Sequence, residues 1–161
     1  MKLIDPLITC WTDSDWADDA LTRKSVSGGA LFLHGCLLRS WWRSQTVVAL
    51  SSCEAELAAL ALGAVEALGL QSLLGEVERK RHIRMYTASS SATAIIARRG
   101  PGRMKHIDIK MLAIQGWVEE RLLSISKVPT EENASDILTK AMSRDRMLYL
   151  GRCLGLVGGQ F

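Results

Sequence analysis

Five short apolar runs along the chain predict β-strands. The first lies in "PLITCWTD" and ends near Asp13. The next two, residues 30–33 and 36–38, are separated by His34-Gly35, which is a hairpin signal. The chain therefore begins with three strands in antiparallel succession. The fourth and fifth runs are Ile83–Thr87 and residues 122–128.

A long apolar segment after the third strand predicts the main helix. Ser51 and Glu54 have the S-x-x-E spacing of a capping box, so we expect the helix to start there and to continue to about residue 77. Its residues 57–75 are long enough to span a membrane, but Glu66 and Gln71 interrupt them. We therefore expect no membrane span but the central helix of a domain, packed on more than one side.

Shorter helical segments complete the pattern. They are predicted over residues 89–97, 107–121, 134–141 and 144–153. The resulting order, β-β-β-α-β-α-α-β-α, predicts an α/β fold. Its mixed five-stranded sheet has three antiparallel strands followed by parallel additions, with helices on its faces. No linker divides the chain, so a single domain is expected over residues 1–161.

Charge and cysteine content narrow the picture only a little. The net charge of +3 permits a polyanionic partner without requiring one. The cysteines lie far apart and form no CxxC pair, which favours small buried apolar residues in a reduced compartment over disulfides or zinc. No leader with a cleavage site opens the chain, so an intracellular location is expected. The four cysteines are Cys10, Cys36, Cys53 and Cys153.

Three acidic residues stand where strands end or helices begin. Asp13 closes the first strand, Glu56 lies near the start of the long helix, and Asp136 follows the fifth strand. Each has a structural explanation, since acids are favoured at helix N-termini and in turns. If the three converge, they predict a site for a hard divalent cation such as Mg²⁺, which prefers oxygen ligands.

Four motifs resemble the ribonuclease H domain of Ty1/copia-type retrotransposon polyproteins. They are "TDSDWADD…TRKSVSGGALFLHG", "VALSSCEAELAAL", "MKHIDIK" and "VPTEENASDILTK", in the order and approximate spacing of that family. The resemblance covers about residues 7–140 and leaves 141–161 as a C-terminal tail. It implies a ribonuclease H-like fold.

The resemblance also implies an activity and its cofactors. The family cleaves the RNA strand of RNA–DNA hybrids during reverse transcription, with two Mg²⁺ ions that Mn²⁺ can replace, beside reverse transcriptase and the other polyprotein domains. By motif, three ligands fall on Asp13, Glu56 and Asp136. The fourth ligand should be the Asp of a "YTDSQ"-like motif, but this chain has "YTASSSA" and the position is Ala88. A cytoplasmic retrotransposon particle or the nucleus is the expected location.

Loss of the fourth carboxylate predicts a chain with little or no cleavage activity, because alanine offers no oxygen to a metal ion. The retention of three ligands in their motifs is typical of an Asp→Ala change made to trap uncut substrate. Two alternatives remain open: a naturally non-catalytic module that binds nucleic acid or protein, and a purely structural polyprotein domain.

Contacts to a hybrid are expected from short polar and from basic side chains. Serines near the metal site suit the RNA strand, although helix capping explains Ser51 equally well. Basic residues suit phosphates, although a solvated loop is the alternative. One of Trp41 and Trp42 should be buried, because side chains alternate along a strand. The candidate contacts are Ser14, Arg23, Lys24, Ser51, Ser52, Ser89, Arg103, Lys105, His106 and Asn133.

Overall fold

The structure is a computed structural model that describes residues 8–75, 82–98 and 109–156. Its strands are β1 (Ile8–Asp15), β2 (Val26–Leu33), β3 (Cys36–Ser44), β4 (Ile83–Thr87) and β5 (Leu123–Lys127). Its helices are α1 (Ser52–Gly75), α2 (Ser90–Ile96), α3 (Ile109–Glu119) and α4 (Arg144–Cys153). Two short 3₁₀ segments, Thr130–Glu132 and Ala134–Leu138, lie between β5 and α4.

The five strands form one mixed sheet in the order β3-β2-β1-β4-β5. β2 pairs antiparallel with both β1 and β3, while β4 is parallel to β1 and to β5. This confirms the predicted sheet of three antiparallel strands with parallel additions. Because β1 lies in the centre, its C-terminal end is bordered by strands and connections from both halves of the chain.

α1 packs closely on one face of the sheet. Gly63 permits this approach, because a Cβ at that position would lie 2.5 Å from Thr12 Cγ2 and 3.1 Å from Cys10 Sγ. Leu60 of α1 is fully buried in the same core. α1 is the one helix in the described ranges that is long and apolar enough to cross a membrane, a test that a buried core helix also passes. Its contacts with the sheet agree with the expected central helix.

The opposite face of the sheet is covered by the second 3₁₀ segment and α4. Ala30 and Phe32 of β2 pack there against Ala134 and Leu154. Gly28 lies on the same face of β2 as Ala30 and Phe32, and a Cβ on it would be 2.5 Å from Thr139 Cγ2. The backbone after Asp136 is therefore held directly against β2.

Local predictions at both ends of β3 are confirmed. Trp41 is 8% exposed and belongs to the core, whereas Trp42 is 62% exposed on the other side of the strand. Ser51 caps α1, because its Oγ accepts from the Glu54 backbone N–H at 3.2 Å. The Glu54 carboxylate reaches back and accepts from the backbone N–H of Leu50 at 2.7 Å, one residue earlier than a standard capping box.

Three local predictions are corrected. Residues 134–141 do not form an α-helix: the 3₁₀ segment Ala134–Leu138 stands there, because the Asp136 carbonyl already accepts from the Thr139 N–H at 3.1 Å. β2 and β3 are longer than their apolar runs, since strand pairing includes polar residues as far as Ser44. Cys36 and Cys153 are exposed rather than buried, because they lie at a strand start and a helix end.

Candidate active site

The site lies at the C-terminal end of β1. The Asp13 side chain points to the face covered by the second 3₁₀ segment and is 1% exposed. In the parallel pairing of β1 with β4, Trp11 lies opposite Tyr86. This pairing ends at Trp11 and Tyr86, and Asp13 and Ala88 each lie two residues further on, at the same end of the sheet. The residue directly after β4 is thus at the strand end where Asp13 lies, and it is an alanine, which has no carboxylate.

Asp136 reaches the same place from the C-terminal part of the chain. It is 3% exposed, on the 3₁₀ segment that follows Asn133. The Asn133 side-chain amide donates to the Thr12 carbonyl at 3.1 Å, and its Oδ1 accepts from the Ser135 hydroxyl at 2.7 Å. Asn133 thus ties the Asp136 segment to the end of β1 and sets the distance between the two aspartates.

An ammonium group joins the two aspartates. Lys140 Nζ lies 2.9 Å from Asp13 Oδ2 and 3.1 Å from Asp136 Oδ1. Arg146 Nη2 lies 3.0 Å from the other oxygen of Asp136, and the Thr139 hydroxyl donates to Asp13. Sequence reasoning missed Lys140 and Arg146, although Lys140 stands four residues after Asp136, a spacing at which opposite charges meet in helical segments.

Glu56 approaches from α1 on the other side of Asp13. Its Oε2 and the neighbouring Ser14 Oγ are buried and make no hydrogen bond of standard geometry among the described residues, although Ser14 lies close enough to favour the charged form of Glu56. Burial raises the pKa of Glu56 to about 7, and the negative charge of Asp13 adds to this rise. An acceptor oxygen left without a partner in a buried site is typical of a position that binds a proton or a cation.

The two charged partners at the centre also have shifted pKa values. Burial raises the pKa of Asp13, and the hydrogen bond from Thr139 and the charge of Lys140 offset part of that rise. Burial acts to lower the pKa of Lys140, but the charges of Asp13 and Asp136 outweigh it and the net shift is upward. Lys140 is therefore a permanent cation at neutral pH in this arrangement.

The donor chemistry suits a hard divalent cation, but the arrangement is filled by Lys140. The acids offer only carboxylate oxygens, and Glu56 Oε2 is free to accept. Within the described ranges, however, no three His, Cys, Asp or Glu side chains are grouped so as to hold a metal ion. The structure thus joins Asp13 and Asp136 through Lys140 and sets Glu56 where the charge of Asp13 acts on it, without grouping the three acids as a metal site.

Stability without metal is expected to fall as the pH rises from about 4.5 to 7. In that range the folded chain keeps a proton on Glu56 that the unfolded chain, with an ordinary pKa of 4.5, has lost. The folded state then binds more protons, so raising the pH favours unfolding. Glu56→Gln should flatten this slope in thermal unfolding with EDTA present. Glu119→Gln, an exposed acid ending α3, is the matched control. An equal slope in Glu56→Gln and the unmodified chain would contradict the assignment.

The predicted nucleic-acid contacts have mixed outcomes. Asn133 is fully buried and its amide makes an internal hydrogen bond, so its contact with nucleic acid stays a prediction. Ser14 is 6% exposed and lies beside Glu56, and its contact with nucleic acid also stays a prediction. Ser89 caps α2 by accepting from the Ala92 N–H at 3.2 Å. Arg23, Ser51 and Ser52 are exposed and Lys24 is half-buried, while Arg103, Lys105 and His106 lie outside the described residues.

Comparison with known proteins places the chain within transposon polyproteins. It is 32% identical over 157 residues, 96% of the chain, to the retrovirus-related Pol polyprotein from transposon TNT 1-94 of Nicotiana tabacum. It is 34% identical over 140 residues, 83% of the chain, to that from transposon RE1 of Arabidopsis thaliana. The chain spans 12% and 9% of the length of these relatives. No family model matches the chain.

Solved structures of similar fold are ribonucleases H. LC11-RNase H1, isolated from compost, superimposes with a TM-score of 0.60 at 18% identity over 84% of this chain and 94% of that one. The structure of LC11-RNase H1 in complex with an RNA/DNA hybrid superimposes with a TM-score of 0.57 at 18% identity. The match covers 82% of this chain and 93% of that one. The foamy viral protease-reverse transcriptase in complex with an RNA/DNA hybrid superimposes with a TM-score of 0.58 at 14% identity. The match covers 84% of this chain and 19% of that one.

The sheet order and the carboxylates at the end of β1 define a protein of the ribonuclease H-like fold. Proteins of this fold generally use divalent metal ions. The chain belongs to the Ty1/copia-type retrotransposon Pol polyprotein family, and the part of such a polyprotein that it represents has the ribonuclease H-like fold.

Proposed function

We propose that this domain binds RNA–DNA hybrids and cleaves their RNA strand weakly or not at all. The observation that carries the proposal is the parallel pairing of β1 and β4, which brings Ala88, directly after β4, to the same strand end as Asp13. Two other acidic residues, Glu56 and Asp136, approach the same strand end from α1 and the second 3₁₀ segment. The site thus retains three acids of a phosphoryl-transfer centre and lacks the one that should follow β4.

We infer that Mg²⁺ is the cofactor, as a pair of ions in the complete site, with Mn²⁺ as a substitute. Asp13, Glu56 and Asp136 are the residues that would hold it. A divalent pair supplies Lewis-acid stabilisation of the oxygens that attack and leave in phosphodiester hydrolysis. In this chain the position between Asp13 and Asp136 holds the Lys140 ammonium, and position 88 offers no oxygen. Both features favour a domain with weak metal binding.

The exposed polar residues around the site suit recognition of a nucleic-acid backbone. Arg23 is exposed in the loop between β1 and β2, and Ser51 and Ser52 are exposed at the start of α1. A hybrid is recognised through phosphates and 2′-hydroxyl groups rather than base edges, and these side chains provide the matching charge and hydrogen-bond donors. The net charge of +3 acts in the same direction.

Hybrid binding is the first test of this function. The unmodified chain should bind a labelled RNA–DNA hybrid more tightly than double-stranded DNA or RNA of the same sequence, and affinity should fall with added salt. Arg23→Gln should weaken hybrid binding by about 2- to 10-fold, as expected for one lost phosphate contact. Arg152→Gln removes the same charge from the exposed last turn of α4 and should leave binding unchanged. Equal affinity for all three duplexes would overturn the proposal.

A non-catalytic binding module is the second candidate function. The Lys140 ion pairs favour it, because they fill the cation position of the site.

Whichever candidate holds, we propose that the domain acts beside reverse transcriptase and the other polyprotein domains, since its relatives carry it as about a tenth of a Pol polyprotein. A cytoplasmic retrotransposon particle or the nucleus is the proposed location, without a membrane role.

A further inference from the structure

Lys140 is placed differently from a surface lysine. Its side chain is 37% exposed, yet its Nζ contacts both Asp13 and Asp136, whose side chains are only 2% and 4% exposed. It follows the second 3₁₀ segment directly, and its backbone N–H donates to the Asp136 carbonyl at 3.0 Å. The backbone of this segment therefore delivers the ammonium to the centre of the acidic site.

We propose that Lys140 is a built-in counter-cation that closes the position between Asp13 and Asp136, so that a divalent ion binds only after the ammonium has left. Lys140 is thus a positioning residue that regulates metal loading. The inference rests on the proposed function, because it takes these aspartates to be the metal ligands.

The oxygens of the two aspartates are fully engaged in this state. Asp13 accepts from Lys140 at both oxygens and from Thr139 at one of them. Asp136 accepts from Lys140 at one oxygen and from Arg146 at the other. The single positive charge of an ammonium and the double charge of a divalent ion repel strongly a few ångströms apart in a partly buried site. The ammonium and a divalent ion therefore exclude each other from the shared oxygens.

The lysine side chain can leave without a change of fold. Its ammonium is held by side-chain contacts on a four-carbon flexible stem, and more than a third of the side chain already meets solvent. Asp13 and Asp136 are positioned independently of it, by β1 pairing and by the Asn133 hydrogen bond to Thr12. Removing the ammonium should therefore leave both carboxylates in place and free their oxygens.

Calorimetric titration with Mg²⁺ alone, without nucleic acid, tests the inference. Lys140→Met keeps the length of the side chain and removes its charge, and it should bind Mg²⁺ at least about tenfold more tightly than the unmodified chain. Lys127→Met, at an exposed position ending β5, is the matched control and should not change Mg²⁺ affinity. Equal Mg²⁺ affinity of Lys140→Met and the unmodified chain would overturn the inference.

A second measurement covers the case in which Lys140→Met folds poorly. Lys140→Gln keeps a hydrogen-bond donor, and its thermal unfolding should shift upward on adding Mg²⁺ by more than that of the unmodified chain. No larger shift would overturn the inference. Neither titration involves a hybrid, so the two proposals fail separately. If Lys140→Met binds Mg²⁺ more tightly but the chain shows no preference for the hybrid, only the proposed function is contradicted. If Mg²⁺ binding is unchanged but the chain clearly prefers the hybrid, only the role of Lys140 is contradicted.

Discussion

Ala88→Asp is expected to raise the rate of RNA-strand cleavage by at least about 100-fold, which corresponds to ~2.7 kcal/mol of transition-state stabilisation. The parallel pairing of β1 and β4 brings position 88 to the same strand end as Asp13, so we expect the new carboxylate to complete a group of four with Glu56 and Asp136. A fourth carboxylate adds oxygen ligands and negative charge where divalent ions bind.

The measurement is single-turnover cleavage of an end-labelled hybrid with Mg²⁺ and, separately, with Mn²⁺. Ser90→Asp adds the same charge at an exposed position in the first turn of α2 and should leave the rate unchanged. Asp13→Asn combined with Ala88→Asp should remove the gained activity, since Asp13 is the central ligand. If Ala88→Asp stays as slow as the unmodified chain, position 88 is not the missing ligand. If the unmodified chain already cleaves rapidly, the proposed loss of activity is wrong.

Gly28→Val is expected to cost about 3 kcal/mol of folding stability and to disrupt the site at the same time. Gly28 pairs with Asp13 across β1 and β2. A Cβ on it would lie 2.5 Å from Thr139 Cγ2 and 3.1 Å from Leu138 Cβ. Thr139 cannot turn away freely, because its hydroxyl donates to Asp13. The valine must therefore push the second 3₁₀ segment, and with it Asp136, away from the sheet. Overpacking of this kind typically lowers the free energy of unfolding by about 1–3 kcal/mol.

Urea unfolding monitored by circular dichroism measures the loss of stability. Gly69→Ala is the control, because nothing lies within 4 Å of a Cβ at that exposed helical position. It should raise stability by up to ~1 kcal/mol through helix propensity. In the Ala88→Asp background, Gly28→Val should also abolish the gained cleavage. Stability within about 0.5 kcal/mol of the unmodified chain would show that the segment is not held as closely as its contacts indicate.

Much of the fold could be predicted because its signals are local. Alternating apolar residues marked the strands, and the His34-Gly35 turn joined β2 to β3. The capping serine at position 51 marked the start of α1. The prediction failed where a contact distant in sequence overrides local preference. Residues 134–138 form a 3₁₀ segment because Asn133 bonds to Thr12 and Thr139 to Asp13, more than a hundred residues away.

The sequence indicated the acids of the candidate site but not its cations. Asp13, Glu56 and Asp136 were chosen because strand ends and helix starts place carboxylates at the same end of the sheet. The burial of Asn133 was not foreseen, because packing on β1 decides it and residue type alone does not reveal it. Lys140 and Arg146 were missed because a basic residue in a short C-terminal segment has no distinct pattern until that segment is placed.

By itself, the sequence determined the order of the strands and helices, the family motifs and the absence of a carboxylate at position 88, since each of these is written in residue type and spacing. Only the tertiary structure decided that Ala88 lies at the same strand end as Asp13, because this depends on the parallel pairing of two strands that are distant in sequence. It also decided that Lys140 lies between the two aspartates. The mutual repulsion of these carboxylates favours a cation between them, and the packing of the 3₁₀ segment on β2 brings Lys140 within reach.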